Sequence, residues 1–175
     1  MSEKAKKELV SWIKTIVLAV AIALFIDFGV IVNATVPTGS MKNTIMEGDR
    51  VVAFRFSYLF NSPKRGDVVI FDYPDAPEDE TVLYVKRVIG EPGDTVEITG
   101  GKVYINGEPL DEDYLREDMV GDFGPYVVPD DSYFMMGDNR NDSLDSRYWD
   151  NKFVEKDKIL GKVIFKYYKK PALIK

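Results

Sequence analysis

Polarity along the chain changes its period near residue 33. From Thr15 to Val32 the sequence reads TIVLAVAIALFIDFGVIV, with Asp27 as its single charge, and Ile16–Ile26 contains no polar residue. A bilayer-crossing helix needs roughly 20 mostly apolar residues, so the pattern predicts a transmembrane helix over residues 10–33. Lys14 can snorkel its ammonium to the headgroups. Trp12 falls at interface depth, and Asp27 sits near the far end, where a charge is cheaper than at the bilayer centre. Almost no polar face exists, which argues against a helix packed on a soluble core. A cleaved signal peptide is the alternative, with Val32-Asn33-Ala34 offering a cut after Ala34, but the apolar run exceeds the usual signal core of roughly 7–15 residues.

Past Asn33 the period is that of strands. Asp49–Phe56 and Gly66–Asp72 are short β-rich runs bounded by Gly, Asp and Pro, and Thr81–Ile89 (TVLYVKRVI) is the clearest strand. Tyr73–Glu80, with two prolines and four acids, predicts a loop. Thr95–Ile98 and Lys102–Ile105 are joined by Gly100-Gly101 and followed by Asn106-Gly107, which predicts a small meander. Glu108–Pro129 is acidic and reads as irregular. Asp131–Met136 and Lys158–Tyr168 predict the last strands. The region after the anchor is therefore mainly β, with a core over about 34–94 and 131–170 and a small β insert over about 95–130.

Charge gives the anchor a direction. Lys4, Lys6, Lys7 and Lys14 all precede the apolar core, so the positive-inside rule predicts residues 1–9 as a cytoplasmic tail and residues 34–175 as extracytoplasmic. The net charge is −6; four lysines against three acids leave +1 in residues 1–33 and −7 in the rest. That balance argues against nucleic acid as the main partner. The 175 residues suit one globular domain with small additions.

Two zeros narrow the chemistry. With no Cys and no His, thiol nucleophiles, thiolate or imidazole metal sites and a Ser-His-Asp triad are excluded. A proton-transfer group must then be a carboxylate, Lys or Tyr. Lys acts as a base only when neutral, and apolar burial favours the neutral amine. Lys86, on one strand face with Val82, Tyr84 and Val88, is such a lysine; an edge-strand charge that blocks aggregation is the plainer reading of the same pattern. Arg87 is a weaker candidate, because guanidinium does not deprotonate. A nucleophile on a tight turn near free backbone N–H groups suits Ser40 in Pro37-Thr38-Gly39-Ser40-Met41, a sequence that an ordinary linker shares. Gly137–Trp149 (GDNRNDSLDSRYW) concentrates Asp, Asn, Ser and Arg after an apolar strand. It fails as a calcium loop, because Arg140 and Ser143 occupy the third and sixth positions. A loop held by its own side chains, with Asp145 paired to Arg147, is the plainer reading here.

In this order after an N-terminal anchor, Val36–Ala53, Gly66–Ile70, Tyr84–Asp94 and Gly137–Trp149 resemble bacterial type I signal peptidases, of the compact Gram-positive type. The resemblance implies an antiparallel β-sheet peptidase domain, related to that of self-cleaving Ser–Lys repressors of the LexA type, with a small inserted β subdomain. It implies a serine endopeptidase that removes signal peptides after small residues. Ser40 falls at the nucleophile, Lys86 at the general base, and Thr38 where a hydroxyl completes the oxyanion hole beside the Ser40 N–H. Ser143 falls where a hydroxyl orients the lysine amine, and Asp145 and Arg147 at a supporting pair. Val36, Pro37, Met41, Tyr84 and Val85 fall where shallow substrate pockets are lined. The implied partners are secretory preproteins and membrane lipid, with neither metal nor cofactor. Two readings compete with it: a non-catalytic anchored β module that binds exported proteins, and a self-cleaving Ser–Lys peptidase of the LexA type.

Overall fold

The computed structural model describes residues 2–174. A 23-residue helix, Glu3–Phe25, opens the chain, with the Ser2 hydroxyl accepting from the Ala5 N–H at 3.3 Å. It is the one helix among the described residues long and apolar enough to cross a membrane. At 1.5 Å per residue it reaches about 35 Å, against a hydrocarbon core of about 30 Å. The helix ends earlier than the apolar run predicts. Ile26–Val30 form a π turn, and Ile31–Asn33 already belong to a strand. Gly29 followed by β-branched Val30, Ile31 and Val32 favours extended backbone over helix, which explains the early switch.

Among the described residues twelve strands follow: β1 Ile31–Thr35, β2 Arg50–Phe54, β3 Val68–Asp72, β4 Leu83–Gly90, β5 Thr95–Thr99, β6 Lys102–Ile105, β7 Glu108–Pro109, β8 Phe123–Val127, β9 Ser132–Met136, β10 Val154–Glu155, β11 Ile159–Lys166 and β12 Ala172–Leu173. The larger sheet runs β1-β2-β11-β3-β4-β9-β10, with β12 on β11; the smaller runs β7-β6-β5-β8. Every ladder is antiparallel.

β3 reads VVIF without polar alternation because both of its faces are covered. Val68 and Ile70 join a core with Val32, Val36, Met41 and Ile45, while Val69 and Phe71 join another with Val88, Tyr133 and Trp149. A third core, around Ile89, Val96, Ile98, Val103 and Phe134, packs the small sheet against the large one. Two expectations are corrected. The 108–129 region contains a strand, β8, whose Gly124 and Pro125 are tolerated because it is an edge. The ladder of β2 stops at Phe54, and Arg55–Tyr58 turn into a 3₁₀ helix.

Candidate active site

β4 lies between β3 and β9, so Lys86 is a central-strand lysine and its edge-strand reading fails. Lys86 is 4% exposed, facing Val69 across the ladder. Beside it the Tyr84 ring, 5.4 Å from Nζ, stacks on Tyr73 and meets Trp149 edge-on. This aromatic wall is why the amine is poorly solvated. Burial pushes the Lys86 pKa down to about 8; Asp145 opposes that shift, Arg147 reinforces it and Asp138 opposes it.

Ser40 reaches the amine from β1. The chain leaves β1 through Val36, whose N–H donates to the Asp49 carbonyl, and tightens into turns from Gly39 to Ile45 closed by Lys42 N–H on Gly39 O and Ile45 N–H on Met41 O. Met41 and Ile45 plug into the core and fix the turn. Ser40 Oγ, 7% exposed, lies 2.6 Å from Lys86 Nζ and 3.4 Å from Thr38 Oγ1. Separated by 46 residues, the hydroxyl and the amine meet only because β1 and β4 both belong to the curled large sheet.

The segment after β9 braces this turn. Asn139 donates its N–H to Ser40 O and its side-chain amide to Gly39 O, both at 3.0 Å. A Cβ on Gly137 would overlap the Ser40 carbonyl and the Ser143 hydroxyl, so only glycine permits the approach. Asp145 and Arg147, both fully buried, pair through two 2.8 Å bonds, and Asp145 also accepts the Gly137 N–H at 3.1 Å. Asp138 accepts both Nε (2.9 Å) and Nη2 (2.8 Å) of Arg87, plus the Thr44 hydroxyl at 2.5 Å.

A cavity of about 750 Å³ opens over Ser40 and Lys86. Of the residues assigned to substrate pockets, Val36, Pro37, Tyr84 and Val85 line it, as do Thr38 and Ser143. Met41 does not: it is fully buried in the core beneath the turn, because the residue after Ser40 points inward to anchor it. Ser143 stands beside Gly137, but its buried hydroxyl makes no hydrogen bond, so the expected contact with the Lys86 amine is not made. Ala34, Ile70, Leu83, Leu144 and Tyr148 also line the cavity and were not anticipated. Asp138 was missed as well. Its signal was Arg87: a guanidinium in an apolar strand requires a buried acid, and GDNR supplies one. No cluster of three or more His, Cys, Asp or Glu suited to a metal ion occurs among the described residues.

A hydroxyl held against a poorly solvated amine, in an open cavity on a domain joined to a bilayer-length helix, defines a membrane-anchored hydrolase that works without imidazole. Residues 9–168 match the family described as signal peptidase, peptidase S26. The chain is 40% identical over 169 residues to a signal peptidase I of Leptolyngbya laminosa, covering 94% of this chain and 82% of that protein. It is 40% identical over 156 residues to signal peptidase I of Bacillus licheniformis, covering 83% and 82%. A crystal structure of a signal peptidase I from Enterococcus faecalis V583 aligns with a TM-score of 0.49 at 35% identity, covering 58% of this chain and 97% of that one. The chain belongs to the signal peptidase family, peptidase S26, whose members are serine endopeptidases.

Proposed function

We propose that this signal peptidase cleaves preproteins with Ser40 as nucleophile and Lys86 as general base. The observation that carries the reading is the 2.6 Å Lys86 Nζ–Ser40 Oγ contact, with both side chains buried and the amine pKa lowered to about 8. Neutral Lys86 takes the Ser40 proton as Oγ attacks the scissile carbonyl carbon. The resulting oxyanion is received by the Ser40 N–H and the Thr38 hydroxyl. The C–N bond then breaks, the amine leaves with the proton held by Lys86, and an acyl-enzyme remains. Water, deprotonated by the same lysine, releases the signal peptide and restores Ser40.

The substrate lies extended along the free edge of β1, an edge strand of the large sheet, with small side chains in the recess lined by Val36, Pro37, Tyr84 and Val85. Asp145 and Arg147 support the site through the Gly137 segment. Residues 1–9 are cytoplasmic, and the peptidase domain is outside, with the catalytic core split around the small insert. Lipid also contacts the domain itself. Phe56, Leu59 and Phe60 are exposed, Phe60 by 89%, and the 3₁₀ turn Arg55–Tyr58 touches the π turn at the end of the membrane helix. The acidic exported part has no use for nucleic acid, and the mechanism needs no metal.

The test is cleavage of a preprotein by the full-length chain in detergent. Wild type cleaves; Ser40→Ala and Lys86→Met each abolish cleavage while the thermal unfolding transition persists. Full activity in either variant overturns the assignment.

A further inference from the structure

The irregular acidic segment between β7 and β8 contributes nothing to the cavity, yet it buries a carboxylate. Glu112, its side chain 5% exposed, faces the fully buried guanidinium of Arg140. Arg140 Nη1 donates to Glu112 Oε2 at 3.0 Å and Nη2 donates to Oε1. Arg140 also donates from Nε to Gly137 O at 3.1 Å, and its own carbonyl accepts Arg147 Nη2 at 2.6 Å. Glu112 thus grips the loop that braces Ser40 and carries Asp145 and Arg147.

Two residues on, Tyr114 donates its hydroxyl to Glu112 Oε1 at 2.6 Å. Its ring lies 3.9 Å from the guanidinium carbon of Arg87, the residue after Lys86. Its carbonyl accepts Asn43 Nδ2 at 3.0 Å, three residues after Ser40. One short stretch of the insert therefore touches each of the three segments that carry the site: the Ser40 turn, the Lys86 strand and the Gly137–Arg147 loop. A seal between two sheets needs apolar contact, which Val96, Ile98 and Phe134 already provide. A buried acid and a tyrosine bonded to each other, hydrogen-bonded to the Ser40 turn and the Gly137–Arg147 loop and stacked on Arg87 of the Lys86 strand, do something a seal does not: they fix those segments relative to one another.

We propose that Glu112 and Tyr114 are positioning residues, holding Ser40 and Lys86 in register from outside the cavity. This rests on the Ser40–Lys86 reading above. Neither residue lines the cavity, so their removal acts on turnover and leaves substrate binding intact. It also moves the pH dependence, because the groups facing Lys86 – Asp145, Arg147 and Asp138 – sit on or against the loop that Glu112 holds.

The experiment compares full-length wild type, Glu112→Gln, Glu112→Asp, Tyr114→Phe and Ser40→Ala in detergent, measuring kcat, KM, the midpoint of the pH–rate rise and thermal unfolding. Misplacing reacting groups by about an ångström costs about a hundredfold. That loss is expected in kcat for Glu112→Gln, and about tenfold for Tyr114→Phe, which keeps the ring over Arg87 and removes one bond. KM stays within about twofold, the pH midpoint moves, and Glu112→Asp recovers part of the Gln loss by restoring the charge. Wild-type kcat and pH midpoint in Tyr114→Phe and Glu112→Asp, a loss confined to KM, or a loss that only follows the folded fraction would each overturn the proposal. If Glu112→Gln does not fold, Tyr114→Phe and Glu112→Asp decide. Cleavage by Ser40→Ala overturns the underlying reading instead; an inert Ser40→Ala beside fully active Tyr114→Phe and Glu112→Asp overturns the positioning role alone.

Discussion

Lys86 carries two costs that its neighbours impose together. As a base it must be neutral, and burial brings its pKa from the ordinary 10.5 to about 8. Activity should therefore rise with pH through about 8 and level off above it. Lys86→Arg should be inert at every pH, because guanidinium does not lose its proton. A rate–pH curve for both proteins checks this; a maximum in acid contradicts it. The same shift has a price in stability. Between pH 8 and 10.5 the unfolded chain binds more protons than the folded one, so stability rises with pH across that window. Below pH 8 both forms are protonated and the full penalty of burying the ammonium is present, on the order of 3 kcal/mol. Lys86→Met, similar in volume and apolar, should then unfold at a higher temperature than wild type at pH 7. That advantage should shrink as pH approaches 10.5, offset in part by the lost bond to Ser40. Equal midpoints at pH 7 would mean that the amine is better solvated than its 4% exposure implies.

At the scale of elements, β1 serves twice. One edge pairs with β2 from Ile31–Phe54 to Thr35–Arg50, and the other is free beside the cavity. A peptide added to that edge alternates its side chains, so the residues one and three before the cut face the enzyme and the one between faces away. Both inward positions should demand small side chains, while the middle one tolerates bulk. Overfilling a rigid recess costs about 1–3 kcal/mol, or roughly five- to 150-fold in kcat/KM at about 1.4 kcal/mol per tenfold. A substrate series with Ala, Val, Leu and Phe at each position reads this directly. A steep penalty for bulk at the middle position would mean that the chain does not bind as a strand.

At the scale of the whole molecule, the anchor and the sheet are continuous. The helix ends in a π turn and passes with no linker into β1, whose Asn33, Ala34 and Thr35 line the cavity. Exposed Leu59 and Phe60 beside that junction should add to the hold. Leu59→Ser with Phe60→Ser, in the full chain reconstituted in vesicles, should slow cleavage of a co-reconstituted preprotein while cleavage of a short soluble peptide is unchanged. Tethering enzyme and substrate to one surface raises their effective concentration, and the double variant weakens only that term. Equal losses on both substrates would place these residues in the fold instead.

The sequence by itself determined the apolar N-terminal helix, the mainly β character and the meander of β5 and β6, because these depend on local period, and it carried the motifs that resemble a signal peptidase. The absence of His and Cys narrowed the proton-transfer group to a carboxylate, Lys or Tyr, and it was the resemblance, not elimination, that singled out Ser40 and Lys86. Tertiary structure alone decided what depends on distant chain. It put β4 in the sheet interior, so that Lys86 is desolvated. It turned Met41 into the core, left the Ser143 hydroxyl unbonded, and supplied Asp138 as the partner of Arg87. It showed β8 where Gly and Pro predict irregular chain, because an edge strand tolerates both. And it brought Glu112 to Arg140, a pairing across 28 residues that no local period encodes, since a buried ion pair is specified by where two loops meet and not by either loop alone.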